Sequence, residues 1–97
     1  MPGKILSIKE ALSHPLRRRI VATLMDDPGI SVRQLARHLG VGVGALSGHL
    51  AILYRMGLIR EERQGNRLQL FLNEEYIANS LGERWSEWSS YSRAQRR

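Results

Sequence analysis

The chain of 97 residues contains no cysteine, and only six of its residues are aromatic (two Trp, three Tyr and one Phe). The absence of cysteine excludes disulfide bonds and thiolate metal sites, and it leaves the redox environment open. No apolar run is long enough for a signal peptide or a membrane span, since Lys4, Lys9 and Glu10 interrupt the N-terminal segment. The simplest location is therefore the cytoplasm, with no membrane partner. So few aromatic side chains also disfavour a non-specific architectural or single-strand binder, which needs surfaces for base stacking.

The sequence also lacks the patterns of common catalytic and metal sites. It has no glycine-rich phosphate loop and no Ser-His-Asp spacing, so an enzyme is the least favoured class. Its three histidines, His14, His38 and His49, fall on three different predicted helices. We therefore expect no metal site and no cofactor.

Positive charge is abundant and unevenly distributed. The formal net charge is +6, and thirteen of the fifteen basic residues are arginine. Between residues 28 and 73, six arginines stand against two glutamates, which gives a net of +4 (six minus two) for that segment. Arginine makes forked contacts to phosphate and guanine, so this segment is expected to face DNA. The alternative is a generally basic surface that keeps the protein soluble.

Hydrophobic spacing predicts two helices in the first quarter of the chain. A short helix over residues 4–12 has its apolar residues on one face. A second helix starts near Pro15, which is tolerated in a first turn, with Ser13 or His14 as its cap. The Pro-Gly turn at 26–29 ends it.

Residues 31–57 predict a helix-turn-helix. Ser31 and Gln34 have the spacing of a capping box at the start of the first helix, and Gly40 supplies the tight turn. The second helix covers roughly residues 42–56, where leucines recur at helical spacing.

After this helix the hydrophobic period switches to that of strands. Residues 58–73 predict a β-hairpin that turns at Gln64-Gly65-Asn66 and projects as a wing. Asn73 then caps a last helix of roughly eighteen residues, followed by a basic tail. We therefore predict a mainly α chain with a small β-hairpin (α+β). It forms one winged helix-turn-helix domain over 1–97, with residues 74–97 as its C-terminal dimerisation helix and tail.

The segments LSHPLRRRIVATL, ISVRQLARHLGVGVGALSGHLAILYRMGLI and REERQGNRLQLFLN resemble the arsenical-resistance-repressor (ArsR)-like winged-helix regulators of bacteria and archaea. The resemblance covers about residues 11–73 and is most specific at Ser47-Gly48-His49-Leu50 and the Gly-Leu-Ile that follows. It implies a homodimer whose terminal helices form the interface and whose second helices enter successive major grooves. The cysteine pairs and last-helix histidines of metal-sensing relatives are absent, so the small-molecule effector is unknown.

The groove-facing positions of the second helix carry unusually little for base recognition. Only Ser47 and His49 can hydrogen-bond a base, and Val43 can touch a thymine methyl. The glycines there are explained either by close approach of the backbone to DNA, or by a frayed first turn with Gly48 making room for a neighbouring element. Arginines, including Arg60 on the wing, are placed to clamp phosphates or enter a minor groove. The predicted DNA-binding residues are Ser31, Arg33, Arg37, Gly42, Val43, Gly44, Ser47, Gly48, His49, Arg55, Arg63, Asn66 and Arg67.

An apolar stripe on the terminal helices has two interpretations. It covers the chain's own core, or, as we favour, it pairs with a second copy, because exposed apolar patches mark interfaces. The predicted dimer-interface residues are Ile5, Ile8, Leu12, Ile77, Leu81, Trp85, Trp88 and Tyr91.

The favoured function is a sequence-selective transcriptional regulator of double-stranded DNA, acting as a homodimeric repressor. Helix 42–56 would enter the major groove while the wing arginines contact phosphates or the minor groove. The alternative is a winged-helix module that docks onto proteins of the transcription or replication machinery and has little or no specific DNA binding. The bare recognition helix favours that alternative, and the arginine-bearing wing disfavours it.

Overall fold

The protein is described by a computed structural model that covers residues 7–82, with the side chain of Leu81 outside the description. Five helices and one antiparallel hairpin make up this part of the chain, which confirms the predicted class. None of these helices has the length and apolar content needed to cross a membrane. The elements are α1 (Ile8–Ala11), α2 (Pro15–Asp26), α3 (Val32–Leu39), α4 (Val43–Arg55), β1 (Ile59–Gln64), β2 (Arg67–Leu72) and α5 (Glu74–Leu81).

The first helix starts later than the sequence pattern predicted. Ser7 has extended backbone angles, and its hydroxyl accepts a hydrogen bond from the Glu10 N–H at 3.1 Å. The Glu10 carboxylate accepts in return from the Ser7 N–H at 2.9 Å, which completes a capping box. A continuous helix over residues 4–12 is therefore wrong, because the local hydrogen bonds fix the start at Ile8.

The cap of α2 is His14 rather than Ser13. Its Nδ1 accepts a hydrogen bond from the Leu16 N–H at 3.1 Å, and Pro15 occupies the first helical position. Proline has no N–H that could be left without a hydrogen-bond partner at this position. His14 and Pro15 therefore start the helix without an unpaired backbone donor at the first helical residue.

The helix-turn-helix forms as predicted. Ser31 and Gln34 make the expected capping box, with both hydrogen bonds at 3.1 Å. Gly40 ends α3 in the left-handed region, at φ 71°, where a side chain would be strained. Helix α4 then runs from Val43 to Arg55, within one residue of the predicted ends.

The hairpin is regular and is attached to the helix-turn-helix by main-chain hydrogen bonds. Its register pairs Ile59 with Leu72 at the base and Gln64 with Arg67 at the tip. On the outer side of β2, the N–H and carbonyl of Leu70 bond to the segment that precedes α3 at 3.0 and 2.8 Å. These bonds fix the wing relative to α3.

The core lies among α2, α3, α4 and the inner face of β2. From α4 it takes Leu46, Leu50 and Leu53, the spacing that predicted this helix. The buried apolar residues are Ala11, Leu12, Ile20, Val21, Leu24, Ile30, Leu35, Ala36, Leu39, Leu46, Leu50, Leu53, Leu58, Ile59, Leu70, Leu72 and Ile77.

Two residues assigned to a dimer interface belong to this core instead. Leu12 is 8% exposed and Ile77 is 1% exposed within the isolated chain, so neither has surface left for a partner. Ile8 is only partly buried. The other predicted interface residues lie outside the described residues or, for Leu81, have no described side chain: Ile5, Leu81, Trp85, Trp88 and Tyr91.

The cap of α5 also differs from expectation. Asn73 has the N-cap position, but its side chain bonds no N–H of that helix. Its amide nitrogen donates to the Gly57 carbonyl at 2.9 Å, and its oxygen accepts from Arg60 at 3.3 Å. The side chain therefore connects the end of α4 to the base of the wing.

Candidate nucleic-acid interface

The face of α4 opposite the core is nearly bare. Gly44, Gly48, Ala51 and Arg55 follow one another every three or four residues, so they lie along one side of the helix. All four are exposed. This side, called the outer stripe below, therefore carries one methyl group and one guanidinium along its whole length.

The glycines of α4 border open space. A Cβ added at Gly42, Gly44 or Gly48 would meet no heavy atom within 4 Å. The explanation that Gly48 makes room for a neighbouring element therefore fails for the part of the chain that the structure describes. What remains is a smooth surface on which another molecule can come close to the helix backbone.

Beside the outer stripe, α4 carries two further predicted contacts. Val43 is 46% exposed, although most large apolar side chains of the described region are buried. Ser47 is exposed, and its hydroxyl donates to the Gly44 carbonyl at 2.9 Å. Its proton is thus engaged within the helix, which leaves the oxygen as the group that Ser47 offers to an external donor.

Four of the predicted arginines are exposed and free to bind an external anion. Arg33 and Arg37 lie one turn apart on α3, Arg55 ends the outer stripe, and Arg63 is on β1. Within residues 7–82, none of the four guanidinium groups has a hydrogen-bonding or acidic partner. Asn66 is exposed in the hairpin turn.

Arg60 makes several contacts within the protein that the sequence did not predict. Its guanidinium lies 4.9 Å from the centre of the Phe71 ring and 3.3 Å from the Glu62 carboxylate. It also donates to the Leu72 carbonyl and to Asn73. These contacts hold the base of the wing, and the Arg60 side chain is about half exposed, so its assignment to a phosphate stays a prediction.

Arg67 is anchored without being neutralised. Its Nη2 donates to Oε1 of Gln34 at 3.1 Å, the oxygen that also caps α3. No carboxylate within residues 7–82 pairs with it. The charge of Arg67 therefore stays available and is held beside the first turn of α3.

Ser31 is unsuitable for contact with DNA through its side chain. The residue is 7% exposed, and its hydroxyl is the acceptor of the capping box. Its role is to start α3, and we leave it out of the interface proposed below.

His49 lies beside the outer stripe and belongs to a cluster that joins α4 to the start of α2. Its ring centre is 4.5 Å from that of His14, and its Nδ1 is 3.3 Å from Nη1 of Arg17. Arg17 is positioned by a second hydrogen bond, from its Nε to the Ala11 carbonyl at 2.6 Å. Partial burial, and then the neighbouring His14 and Arg17, lower the pKa of His49 below its ordinary value of 6.5.

A different contact joins α4 to the wing. The Tyr54 hydroxyl donates to the Glu61 carboxylate of β1 at 2.5 Å. Burial and this bonded carboxylate raise the pKa of Tyr54, so the phenol stays protonated and remains a donor. Both long edges of α4 are thus tied to neighbouring elements, by His49 on one and by Tyr54 on the other.

These two connections were not anticipated from the sequence. Nothing in a local sequence pattern reports contact between α2 and α4, so the sequence indicates no contact of His14 and Arg17 with His49. The capping box did identify Gln34, but its second contact with Arg67 depends on how the hairpin folds back. Within residues 7–82, no group of three or more His, Cys, Asp or Glu side chains is arranged to hold a metal ion.

Comparison with known proteins places this architecture in one family. The sequence model described as "Bacterial regulatory protein, arsR family" matches residues 14–61, which span α2 to the first half of β1. The chain is 37% identical over 76 residues to the HTH-type transcriptional regulator CmtR of Mycobacterium tuberculosis, covering 75% of this chain and 61% of CmtR. It is 34% identical over 71 residues to the HTH-type transcriptional regulator YgaV of Escherichia coli, covering 73% of this chain and 72% of YgaV. Another curated relative, from Methanocaldococcus jannaschii, is spanned over only 16% of its length.

The structure is similar to solved members as well. The crystal structure of the transcriptional repressor BigR from Xylella fastidiosa superposes with a TM-score of 0.64 at 30% identity, covering 75% of this chain and 74% of BigR. The shared order of elements and the sequence matches identify the chain as a winged helix-turn-helix member of the arsR family of bacterial regulatory proteins, whose members are DNA-binding transcriptional regulators.

Proposed function

We propose that the protein represses transcription by binding a two-fold symmetric operator as a homodimer, with α4 in the major groove. The observation that carries this proposal is the contrast between the open outer stripe of α4 and the exposed arginines of α3 and the wing, which no described carboxylate neutralises. A stripe without bulky side chains lets the helix backbone approach base edges, and the cations around it suit phosphates.

The arginines supply the electrostatic part of this binding. Arg33 and Arg37 at α3, and Arg63 and Arg67 on the wing, are exposed and not neutralised by any described carboxylate. Each phosphate contact releases condensed counterions, so affinity should fall steeply with salt. Asn66 and Arg63 are near the hairpin tip, where a side chain can also reach a minor groove.

Base selection comes from fewer groups. Val43 can contact a thymine methyl, and the Ser47 oxygen can accept a hydrogen bond from a base amine. Gly42, Gly44 and Gly48 add no groups of their own, but they allow close packing. We therefore expect moderate sequence selectivity, with a contribution from the shape of the duplex.

Dimer formation is supported by the apolar pattern beyond the described residues. Ile77 is buried against the chain's own core, and Leu81, Trp85 and Trp88 continue its helical spacing in the sequence. A further stripe of this kind needs a surface to cover it, and a second copy supplies one with two-fold symmetry. Sedimentation at micromolar concentration should give twice the chain mass, and a monomer would contradict this part of the proposal.

The decisive experiment is selection from a random pool of DNA duplexes near physiological salt. Recovery of a two-fold motif whose half-sites are about one helical turn apart would support the dimeric regulator and give its operator. A folded sample that retains no duplex would favour the second candidate, a winged helix that docks on another protein. The bare outer stripe is the observation that favours this second candidate function.

A further inference from the structure

The strongest unassigned feature is the contact among His14, Arg17 and His49. It joins the first turn of α2 to the flank of α4, next to Gly48 on the outer stripe. His14 is exposed, whereas His49 and Arg17 are half-buried. The cluster is therefore open to solvent at the edge of the proposed DNA surface.

The hydrogen bonds determine which nitrogen of each ring carries a proton. The Leu16 N–H and the Arg17 guanidinium can only donate, so Nδ1 of His14 and Nδ1 of His49 must both accept. A neutral imidazole has a single N–H, which must then be at Nε2 in both rings. A protonated Nε2 has no lone pair for a metal ion, but it donates readily to an oxygen.

The cluster thus presents two ring N–H donors and a guanidinium, and no carboxylate within residues 7–82 pairs with it. Among the described residues, the charged or titratable groups that act on His49 are His14, at the start of α2, and Arg17, within α2. The twelve-residue helix α2 adds the positive end of its dipole at His14. Donors and positive charge of this kind suit an oxyanion.

We propose that His14, Arg17 and His49 form a binding site for one backbone phosphate of the DNA that α4 enters. This inference depends on the proposed function, because the phosphate is that of the operator strand bordering the outer stripe. Helix periodicity places His49 roughly 100° around α4 from Gly48, at the edge where a strand of the groove wall would pass.

A bound phosphate would reverse the electrostatic environment of His49. In the free protein, burial and two cationic or titratable neighbours disfavour the imidazolium form, so the pKa of His49 is lowered. A phosphate at the cluster adds negative charge and favours that form. Protonation of His49 at Nδ1 ends its hydrogen bond with Arg17, so the guanidinium is then released to donate to the phosphate. DNA binding should then take up a proton, and affinity should increase as the pH falls from about 8 to about 6.

The test compares the salt dependence of duplex binding at about pH 6 and about pH 8. The probe is a labelled duplex of about three helical turns and mixed sequence, measured by fluorescence anisotropy. For the unaltered protein, the slope of log K against log salt should be steeper at the lower pH by up to about 0.9, the value for one added phosphate contact.

The matched variants remove the ability to gain a proton and keep polar side chains at both positions. His14→Asn keeps a good N-cap for α2, and His49→Gln keeps a neutral donor and acceptor. The double variant H14N/H49Q should give the same slope at both pH values. His38→Gln, which alters the exposed histidine of α3, should behave like the unaltered protein. Circular dichroism melts establish that each variant is folded.

The outcomes separate this inference from the function on which it depends. Equal slopes at both pH values for the unaltered protein, or a slope difference retained in H14N/H49Q, would overturn the phosphate site alone. No binding at either pH would contradict the proposed function itself.

Nuclear magnetic resonance of the imidazole protons provides a second readout. We expect the pKa of His49 to rise on addition of the duplex and to stay unchanged with inorganic phosphate at matched ionic strength. An equal rise with inorganic phosphate would assign the cluster to a free anion and overturn the assignment to DNA.

Discussion

The recognition helix α4 and the β-hairpin present opposite kinds of surface. The outer stripe of α4 has Gly44, Gly48 and Ala51 before it reaches its arginine, whereas the hairpin carries Arg63 and Arg67 on exposed positions. Base contacts give selectivity and phosphate contacts give position and affinity. Under the proposed function, charge would act mainly at the periphery of the interface, and the centre would contribute by its shape.

The two regions are nevertheless mechanically connected. Tyr54 of α4 donates to Glu61 of β1, and Arg67 of β2 donates to Gln34 of α3. On the opposite edge of α4, His49 contacts Arg17 of α2. Particular side chains thus join the wing and α2 to the helix-turn-helix.

The largest effect is expected on the stability of the fold, from a substitution on the buried face of α4. Leu46 is fully buried, so Leu46→Ala should lower the free energy of unfolding by about 2–5 kcal/mol, because it removes buried methyl groups and leaves a cavity. Ser47→Ala, on the exposed side of the same helix, is the control and should change stability far less. Urea denaturation measures both, and similar losses would contradict the assignment of the two faces.

The next largest effect is expected from the wing arginines, and it tests whether the wing contributes charge to DNA binding rather than sequence selectivity. Arg63→Ala with Arg67→Ala should weaken binding to all duplexes and reduce the salt slope by about 0.9 for each lost contact. Arg19→Ala removes the same charge from an exposed position on α2 and serves as control. A double variant that keeps the original slope would disprove this role of the wing.

A smaller effect is expected from a substitution that tests whether the backbone of α4 comes close to the duplex at the outer stripe. Gly48→Ala places a methyl group in open space, so stability should rise by about 0.5–1 kcal/mol while affinity for the selected duplex falls. The reciprocal control, Ala51→Gly, should lower stability by a similar amount without obstructing DNA. Thermal melts and anisotropy titrations give the two quantities, and unchanged affinity in Gly48→Ala would show that the helix backbone stays away from the duplex.

The smallest effect concerns stability and pH in the absence of DNA. Because the pKa of His49 is lowered in the folded chain, the unfolded chain binds more protons near pH 6.5. Stability due to this residue is therefore complete well above pH 6.5 and decreases as the pH falls through that value towards the lowered pKa. Melting temperatures at a series of pH values should show a shallower decrease for His49→Gln than for His38→Gln, and equal decreases would contradict the sign of the shift.

The helix-turn-helix and the wing were accessible to sequence reasoning because their signals are local. The capping box at Ser31 and Gln34, the left-handed Gly40 and the alternating leucines of β2 each act within a few residues. The assignment of Leu12 and Ile77 to a dimer interface failed because it depended on contacts between residues far apart in the chain. An apolar face is visible in the sequence, but the surface that buries it is not.

The difference between local signals and long-range contacts also separates what the sequence and the tertiary structure each decided about function. By itself, the sequence determined the order of the elements, the family resemblance, the excess of arginine and the shortage of base-reading side chains on α4. Tertiary structure alone decided that Arg60 holds the base of the wing, that the glycines of α4 border open space, and that His14, Arg17 and His49 meet. Periodicity and capping are properties of neighbouring residues, whereas these contacts join residues far apart in the chain and exist only after the core has brought α2, α4 and the hairpin together.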